Sequence, residues 1–522
     1  MKSFIDRYRD RVIGVLSGFD RVRFRGSLRW ACYAEGLGKY LSSRRVLLKD
    51  FGTFMEGVTK RIREAAEGIA RAAGRPIAYL KSPSESKEDR ARSIAAADGI
   101  QEGLICVLYA VEPCRSFRIG RDRERKQLVL QSALRQCSHY YFYWIHPVWG
   151  FCHARLQTWF PMTVQVCING REWLSRQLNA AGIGYQRREN CFPWIEDVPA
   201  AQRLMDEQLR MNWSRELNRL LPMFHPTRME TNDDPSKEGY YWSIQESEWA
   251  TDVMFRNPKA LVDLYPHLIR HATVHLGSRE VLRFLGRRLP PTGRIPTQFV
   301  GEVVSDLRER PEGLRIKHRL NANSIKMYDK QGAVLRIETT LNNPDDIKVY
   351  RPREGDPKGQ KAWRALRRGV ADAHRRAEVC QAANERYLDS LSAAENPTLL
   401  GELTVGLCRP VRWKKHRVRA LNPLSAEDAK LLEAVNRGEF LVNGFRNRDL
   451  RERLYGEAPA DAKALRRQSG AVTRKLRMLR AHGLIHKVPR THRYLLTEKG
   501  RACITALMAA RAVDTAKLTR AA

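Results

Sequence analysis

The chain has 522 residues, 43% of them hydrophobic, which is enough for two to four domains with real cores. Lysine and arginine number 93 against 58 acidic residues, and a formal charge of +35 strains a compact fold by self-repulsion unless a polyanion is bound. No stretch of about 18 apolar residues exists and residues 1–14 lack an apolar signal core, so neither a membrane span nor a secretory leader is expected. Nucleic acid is therefore the expected partner, DNA ahead of RNA, with no membrane involved and a cytoplasmic, nucleoid-associated location. Ten scattered cysteines, none in a CxxC pair, read as reduced thiols.

The expected fold class is α+β: a mixed core with antiparallel sheets, followed by a small C-terminal module. Composition divides the chain into residues 1–100, 101–200, 201–290, 291–395, 396–423 and 424–505. The first segment holds two strand-like runs, Val12–Leu16 and Arg21–Gly26. The second run alternates basic and apolar residues, placing Arg21, Arg23 and Arg25 on one face, where they can hold a phosphate backbone or blunt an edge strand. A helix is expected over Met55–Ala73, and a polar loop, Lys81–Arg92, leads into another.

Residues 101–200 are strand-rich and aromatic. Strands are expected at Leu104–Val111, Ser116–Ile119, Gln127–Leu130, Tyr140–Ile145, Gly150–Trp159 and Thr163–Asn169, then a helix at Gly170–Ala181. His153, Arg155 and Gln157 share one face of their strand, a polar row suited to phosphate, to a metal or to plain hydrogen bonding across the sheet. Residues 201–290 read as helical: Ala200–Leu221 as one helix, and Gln245, Glu248 and Asp252 at helical spacing on another. His267, His271 and His275 also share a helical face, without the HExxH of a zinc protease. Leu289–Gly293 is the expected linker.

Leu314–Pro352 reads as a β-meander with strands Arg315–Leu320, Ser324–Asp329 and Val334–Leu341. It gathers Lys326, Tyr328, Asp329, Lys330, Arg336 and Glu338, a polar set on a sheet. A basic helix over Trp363–Ala394 and a basic connector over Thr398–Ala420 follow; both are candidates for a phosphate backbone or for solvated faces.

The C-terminal pattern is the most specific. Helices are expected at Ala426–Arg437, Asn447–Leu454 and Gly470–His482, then a hairpin of Leu484–Val488 and Arg493–Thr497, then a last helix. The run Tyr494-Leu495-Leu496-Thr497-Glu498-Lys499-Gly500 resembles the end of the wing in winged-helix regulators. The resemblance implies that the third helix enters the major groove, with Thr473, Arg474, Arg477 and Arg480 on it. It implies that the wing carries Lys487, Arg490, His492 and Arg493.

The meander carries a second resemblance. Ile325-Lys326-Met327-Tyr328-Asp329-Lys330 followed by Leu335-Arg336-Ile337-Glu338 is similar to a pattern in rolling-circle replication initiators of the phage gene II and plasmid Rep type. That resemblance implies a mobile-element enzyme, a metal-dependent endonuclease or nickase using Mg²⁺ or Mn²⁺. A tyrosine would be the nucleophile, Tyr328 on the motif or equally Tyr240 or Tyr241, with Glu338, Asp329 and Lys330 catalytic, Glu338, Asp329 and His153 on the metal, and Lys326 and Arg336 on phosphate. The competing expectation is a DNA- or RNA-binding protein without catalysis.

Overall fold

The computed structural model describes residues 1–82, 85–225, 239–286, 303–310, 313–345, 347–353, 356, 358–392, 400–414, 416–437, 440, 444–489 and 491–512. The expected linker at Leu289–Gly293 lies outside them. Thirteen strands come first in chain order: β1 (Val12–Ser27), β2 (Ile77–Tyr79), β3 (Gly103–Asp122), β4 (Gln127–His146), β5 (Gly150–Gln157), β6 (Val164–Asn169), β7 (Tyr185–Arg188), β8 (Cys191–Ile195), β9 (Tyr241–Phe255), β10 (Val303–Arg310), β11 (Gly313–Leu320), β12 (Asn323–Lys330) and β13 (Val334–Leu341). With long helices between them, the chain is α+β. Among the described residues, no helix is long and apolar enough to cross a membrane.

The chain forms two discontinuous units. The first comprises Met1–Ile13, Phe255–Ile337 and Ala382–Ala522; the second comprises Gly14–Met254 and Glu338–Gln381. Each draws on segments far apart in sequence, which a division by composition does not show.

In the second unit the sheet order is β13 (its last four residues), β9, β1, β6, β5, β4, β3, β2. Neighbours with determined register are antiparallel except β2, which runs parallel to β3. The two N-terminal runs prove to be one 16-residue strand, β1, because Ser17, Gly18, Phe19 and Asp20 between them are buried and extended. Phe24 on one side of β1 packs against Trp213, ring centroids 4.9 Å apart. The helix Phe51–Ala72 buries Phe51, Met55, Val58, Ile62, Ala66 and Ala70, a stripe at helical spacing. Gly170 opens the helix Gly170–Ala180 because a Cβ there would sit 1.9 Å from the Phe19 carbonyl oxygen.

Three helical expectations in this unit are corrected. Tyr241–Phe255 is strand β9, since Trp242, Ile244, Ser247 and Trp249 alternate into the interior. Ala200–Leu221 divides into Val198–Arg210 and Trp213–Leu220, because Asn212 caps the second helix by accepting from the Arg215 amide at 3.1 Å. The basic helix starts only at Ala373; Ala362–Ala365 is a strand paired with Lys348–Arg351. Its arginines face inward or find carboxylates: Arg376 donates to the Ile244 and Leu341 carbonyls at 2.9 and 2.7 Å, and Arg367 and Arg375 pair with Asp372.

β3 and β4 form one hairpin whose register runs unbroken from Val111↔Ser138 to Asp122↔Gln127. β2 pairs only with Val107–Tyr109 and β5 only with His139–His146. Beyond those points, among the described residues, no third strand pairs with the hairpin.

In the first unit β10, β11, β12 and the first half of β13 are successive neighbours. The meander is found where expected, with Asn321 and Gln331 at positive φ in its turns. Buried His318 bridges Ser305 (2.7 Å) and the Tyr387 hydroxyl (3.1 Å), tying β10 and β11 to the helix Ala373–Leu391. The same unit contains the helices Ala426–Val435, Asn447–Tyr455 and Ala462–Ala481, the hairpin Ile485–Lys487/Tyr494–Leu496 and the helix Glu498–Ala512. They share a core of Leu431, Leu432, Leu450, Val472, Leu476, Leu479, Ile485, Leu496 and Ile504. The third of these helices begins eight residues earlier than expected, at Ala462, capped by Asp461, whose carboxylate accepts the Lys463 and Ala464 amides at 3.0 Å. The basic connector is also folded: Leu407 and Leu421 belong to this core, and Val411–Trp413 pairs with His416–Val418.

Candidate functional site

In β1 the residues opposite to Phe24 in the alternation are Arg21, Arg23 and Arg25. The register extends their side of the sheet strand by strand. Arg23 stands opposite Cys167, Cys167 opposite His153, and His153 opposite Tyr143. One row on, Arg25, Gln165, Arg155 and Tyr141 are aligned in the same way. Directly opposed residues share a face, so two sequence regions 130 positions apart are brought together: Arg21, Arg23 and Arg25 with His153 and Arg155.

β9 adds carboxylates. Its burial pattern slips at Gln245 and Glu246, two consecutive half-exposed residues between buried Ile244 and Ser247, the mark of one extra residue in a strand. Gln245, Glu246 and Glu248 therefore all reach the polar side. Arg21 pairs with Glu246 (3.4 Å) and Glu248 (3.1 Å), Arg23 pairs with Glu246 (3.4 Å), and Gln165 donates to Gln245 at 2.8 Å. Asp252, expected beside them, is on the interior side, in a fully buried pair with Arg171 at 2.9 Å. The carboxylates raise the Arg21 pKa against the opposing effect of burial.

Arg155 is likewise held. Glu112 accepts from Arg155 at 2.9 Å and from the Tyr141 hydroxyl at 2.7 Å, and pairs with Lys87 at 3.1 Å. Burial alone would raise the Glu112 pKa, but these partners outweigh it and bring it down to about 2. Burial, then Arg23 and Arg21, push His153 down to about 3, so its imidazole is neutral at physiological pH.

The meander residues are inside. Arg336 is 0% exposed, Glu338 4%, and Lys326, Tyr328 and Lys330 are buried with them. Tyr328, Lys326 and Arg336 are thus enclosed by the chain rather than displayed on a surface. Strands β12 and β13 have both sides covered, which the alternation of polar and apolar residues does not reveal. Asp329 serves its own turn: the Oδ1 atom accepts from the Gly332 amide at 2.8 Å and closes the β12–β13 connection, while burial raises the carboxyl pKa.

Among the described residues, one group of three ligating side chains converges: Cys114, Cys137 and His139, all buried, with ligand atoms within 4.8 Å of one another. Neither Glu338, Asp329 nor His153 belongs to such a group. The two sulfurs are 2.7 Å apart, and His139 Nδ1 lies 3.1 Å from the Cys137 carbonyl oxygen. Sulfur and imidazole donors do not suit Mg²⁺ or Mn²⁺, which prefer oxygen. Glu246 and Glu248 offer oxygen but are occupied by Arg21 and Arg23. Among the described residues, the side chains that converge do not fit the expected divalent ion.

The C-terminal module carries a second polar surface. Along the helix Ala462–Ala481, Val472, Leu476 and Leu479 are buried while Arg466, Arg467, Thr473, Arg474 and Arg477 are exposed. Arg480 is half-buried over the Trp413 ring, 5.1 Å from its centroid. Lys487 and His492 on the hairpin are exposed and Arg493 is half-buried; Arg490 lies outside the described residues. Asn447 braces the helix by donating to the Ser469 carbonyl (2.9 Å) and to Thr473 (3.0 Å). Comparison of the chain with protein-family models, with curated proteins and with solved structures returns no match.

Proposed function

We propose that this protein binds nucleic acid, duplex DNA in the first place, through the helix Ala462–Ala481 and the hairpin that follows it. One observation carries the reading: Arg466, Arg467, Arg474 and Arg477 are all exposed on a helix whose opposite side is locked into a core. An α-helix fits the major groove, and a basic hairpin beside it can rest on the flanking phosphates. The +35 charge of the chain supplies the long-range attraction. The test is fluorescence anisotropy of a labelled DNA duplex over a salt series. Arg474→Ser/Arg477→Ser is expected to weaken binding about tenfold or more and to flatten the log K against log salt slope by about 2. Unchanged affinity and slope in that variant would remove this helix from the interface.

A second reading, strand cleavage by a mobile-element enzyme, is favoured by the half-buried carboxylates Glu246 and Glu248, paired with Arg21 and Arg23 on the side of the sheet that also carries His153. It moves any chemistry away from the meander. Incubation with labelled single- and double-stranded DNA and RNA, with Mg²⁺ or Mn²⁺ added, tests it. Cleavage lost in Glu246→Gln and Glu248→Gln but retained in Asp329→Asn supports this site; no cleavage of any substrate leaves the binding reading alone.

A further inference from the structure

The β3–β4 ribbon has no assigned role, and its chemistry differs from that of the sheet it grows from. Twelve residue pairs, Val111↔Ser138 to Asp122↔Gln127, extend past the last contact with a third strand. At about 3.3 Å per residue the ribbon is roughly 40 Å long. Its inner half is packed against the rest of the unit: Ser116 donates to the Phe160 carbonyl at 2.6 Å and Phe117 is buried, so the outer half begins at Arg118. Its tip is fixed as well. Asp122 Oδ1 accepts the Glu124 and Arg125 amides at 3.0 Å each, and Lys126 takes a positive φ of 50° to turn the chain back. Along one side, Leu130 lies within van der Waals distance of where a Cβ would sit on Gly38, so the helix Ala34–Ser43 braces the arm.

Arg115, Arg118, Arg121, Arg123, Arg125 and Lys126 are all exposed on this ribbon. Among the described residues none of the six is paired with a carboxylate, whereas Arg21, Arg23 and Arg155 on the sheet all are. Arg118 and Arg121 are three positions apart in a strand and so project from opposite faces. A two-stranded ribbon with cations on both faces and at its tip matches a channel with phosphate on both walls.

We infer that the outer half of the β3–β4 ribbon, from Arg118 to its tip, enters the major groove of duplex DNA. The major groove of B-DNA is wide enough for a two-stranded ribbon, while the deep, narrow major groove of an RNA helix is not. Five residue pairs and the turn reach roughly 20 Å, about half of the 34–36 Å of a helical turn. Because both ends are already fixed, binding orders little additional backbone. The inference rests on the nucleic-acid reading above and assigns it a second contact.

The experiment uses the full chain, a mixed-sequence DNA duplex several turns long, and an RNA duplex of the same sequence. The variant Arg118→Ser/Arg121→Ser/Arg123→Ser/Arg125→Ser is compared with the parent and with Arg474→Ser/Arg477→Ser; far-UV circular dichroism and a thermal melt check its fold. The parent is expected to protect guanine N7 from dimethyl sulfate, a major-groove probe. The ribbon variant is expected to lose part of that protection, to bind DNA about tenfold or more weakly, and to flatten the salt slope by about 3. The parent's footprint stands even if the variant misfolds: absence of N7 protection overturns the groove assignment. Parent and ribbon variant binding DNA alike, while Arg474→Ser/Arg477→Ser is weakened, overturns the ribbon but not the nucleic-acid reading. Equal loss on the DNA and RNA duplexes reduces the ribbon to a backbone contact and overturns the groove. A parent that binds neither duplex overturns both.

Discussion

The meander and the polar side of the β1–β6–β5 strands look alike in sequence and differ in structure. Both alternate charged with apolar residues: Arg21-Val22-Arg23-Phe24-Arg25 in one, Leu335-Arg336-Ile337-Glu338 in the other. In β1 the charged set is half-buried or exposed, while in β12 and β13 it is interior. Alternation reports that two sides differ in polarity, not that the polar side meets water. A charged strand covered on both sides has to satisfy its charges internally, and removing one then costs structure before it costs any function.

The largest expected effect follows from that contrast. Glu338→Ala is expected to lower stability by about 3–5 kcal/mol, the cost of leaving a buried ionic site uncompensated. Glu246→Ala, at the half-exposed site, is expected to cost about 0–1 kcal/mol. Urea unfolding of both variants beside the parent reads the difference. Equal costs would mean that the two regions do not differ in the way their burial implies.

The strands of the meander, the helix Gly170–Ala180 and the order of elements in the C-terminal module were legible because each has a local signal: alternation with Asn and Gly turns, an Asn169 cap, a Ser425 cap and a Gly483 stop. Tyr241–Phe255 was not, because Gln245, Glu248 and Asp252 fit helical spacing, and one extra residue in the strand hides the alternation. Arg21 and Arg155 were each legible as candidates. Their position in one pair of adjacent rows depends on β6 lying between β1 and β5, a long-range pairing that no local pattern encodes. The Glu246 and Glu112 partners were missed for the same reason. Ser116–Ile119 and Gln127–Leu130 were legible as strands, but only the register shows that the one hairpin they belong to outruns its neighbours.

An intermediate effect concerns pH. His153 titrates near 3 in the folded chain against an ordinary value of 6.5, so in that interval the unfolded chain binds the extra proton. Stability therefore falls as pH drops from about 6.5 towards 3, and His139, held near 4, acts in the same direction. Glu112, held near 2 against 4.5, adds its loss only below about 4.5. Thermal melts from pH 7 to pH 4 are expected to show a declining Tm, with a shallower decline in His153→Gln. An equally steep decline would mean that His153 is accessible and protonates in the folded state.

The smallest effect tests whether the polar side of the sheet can meet nucleic acid at all. Glu246 engages both Arg21 and Arg23, at 3.4 Å each. Glu246→Gln removes that charge, leaves Arg21 with Glu248 and releases Arg23. If a phosphate backbone crosses this side, the freed guanidinium adds about one contact, and the salt slope of DNA binding steepens by about 1 with a rise in affinity of a few fold. If the ribbon and the C-terminal helix carry the whole interface, neither quantity moves. Anisotropy over a salt series with the Glu246→Gln protein separates these outcomes. A weaker, flatter response would instead mean that Glu246 positions the arginines productively rather than neutralising them.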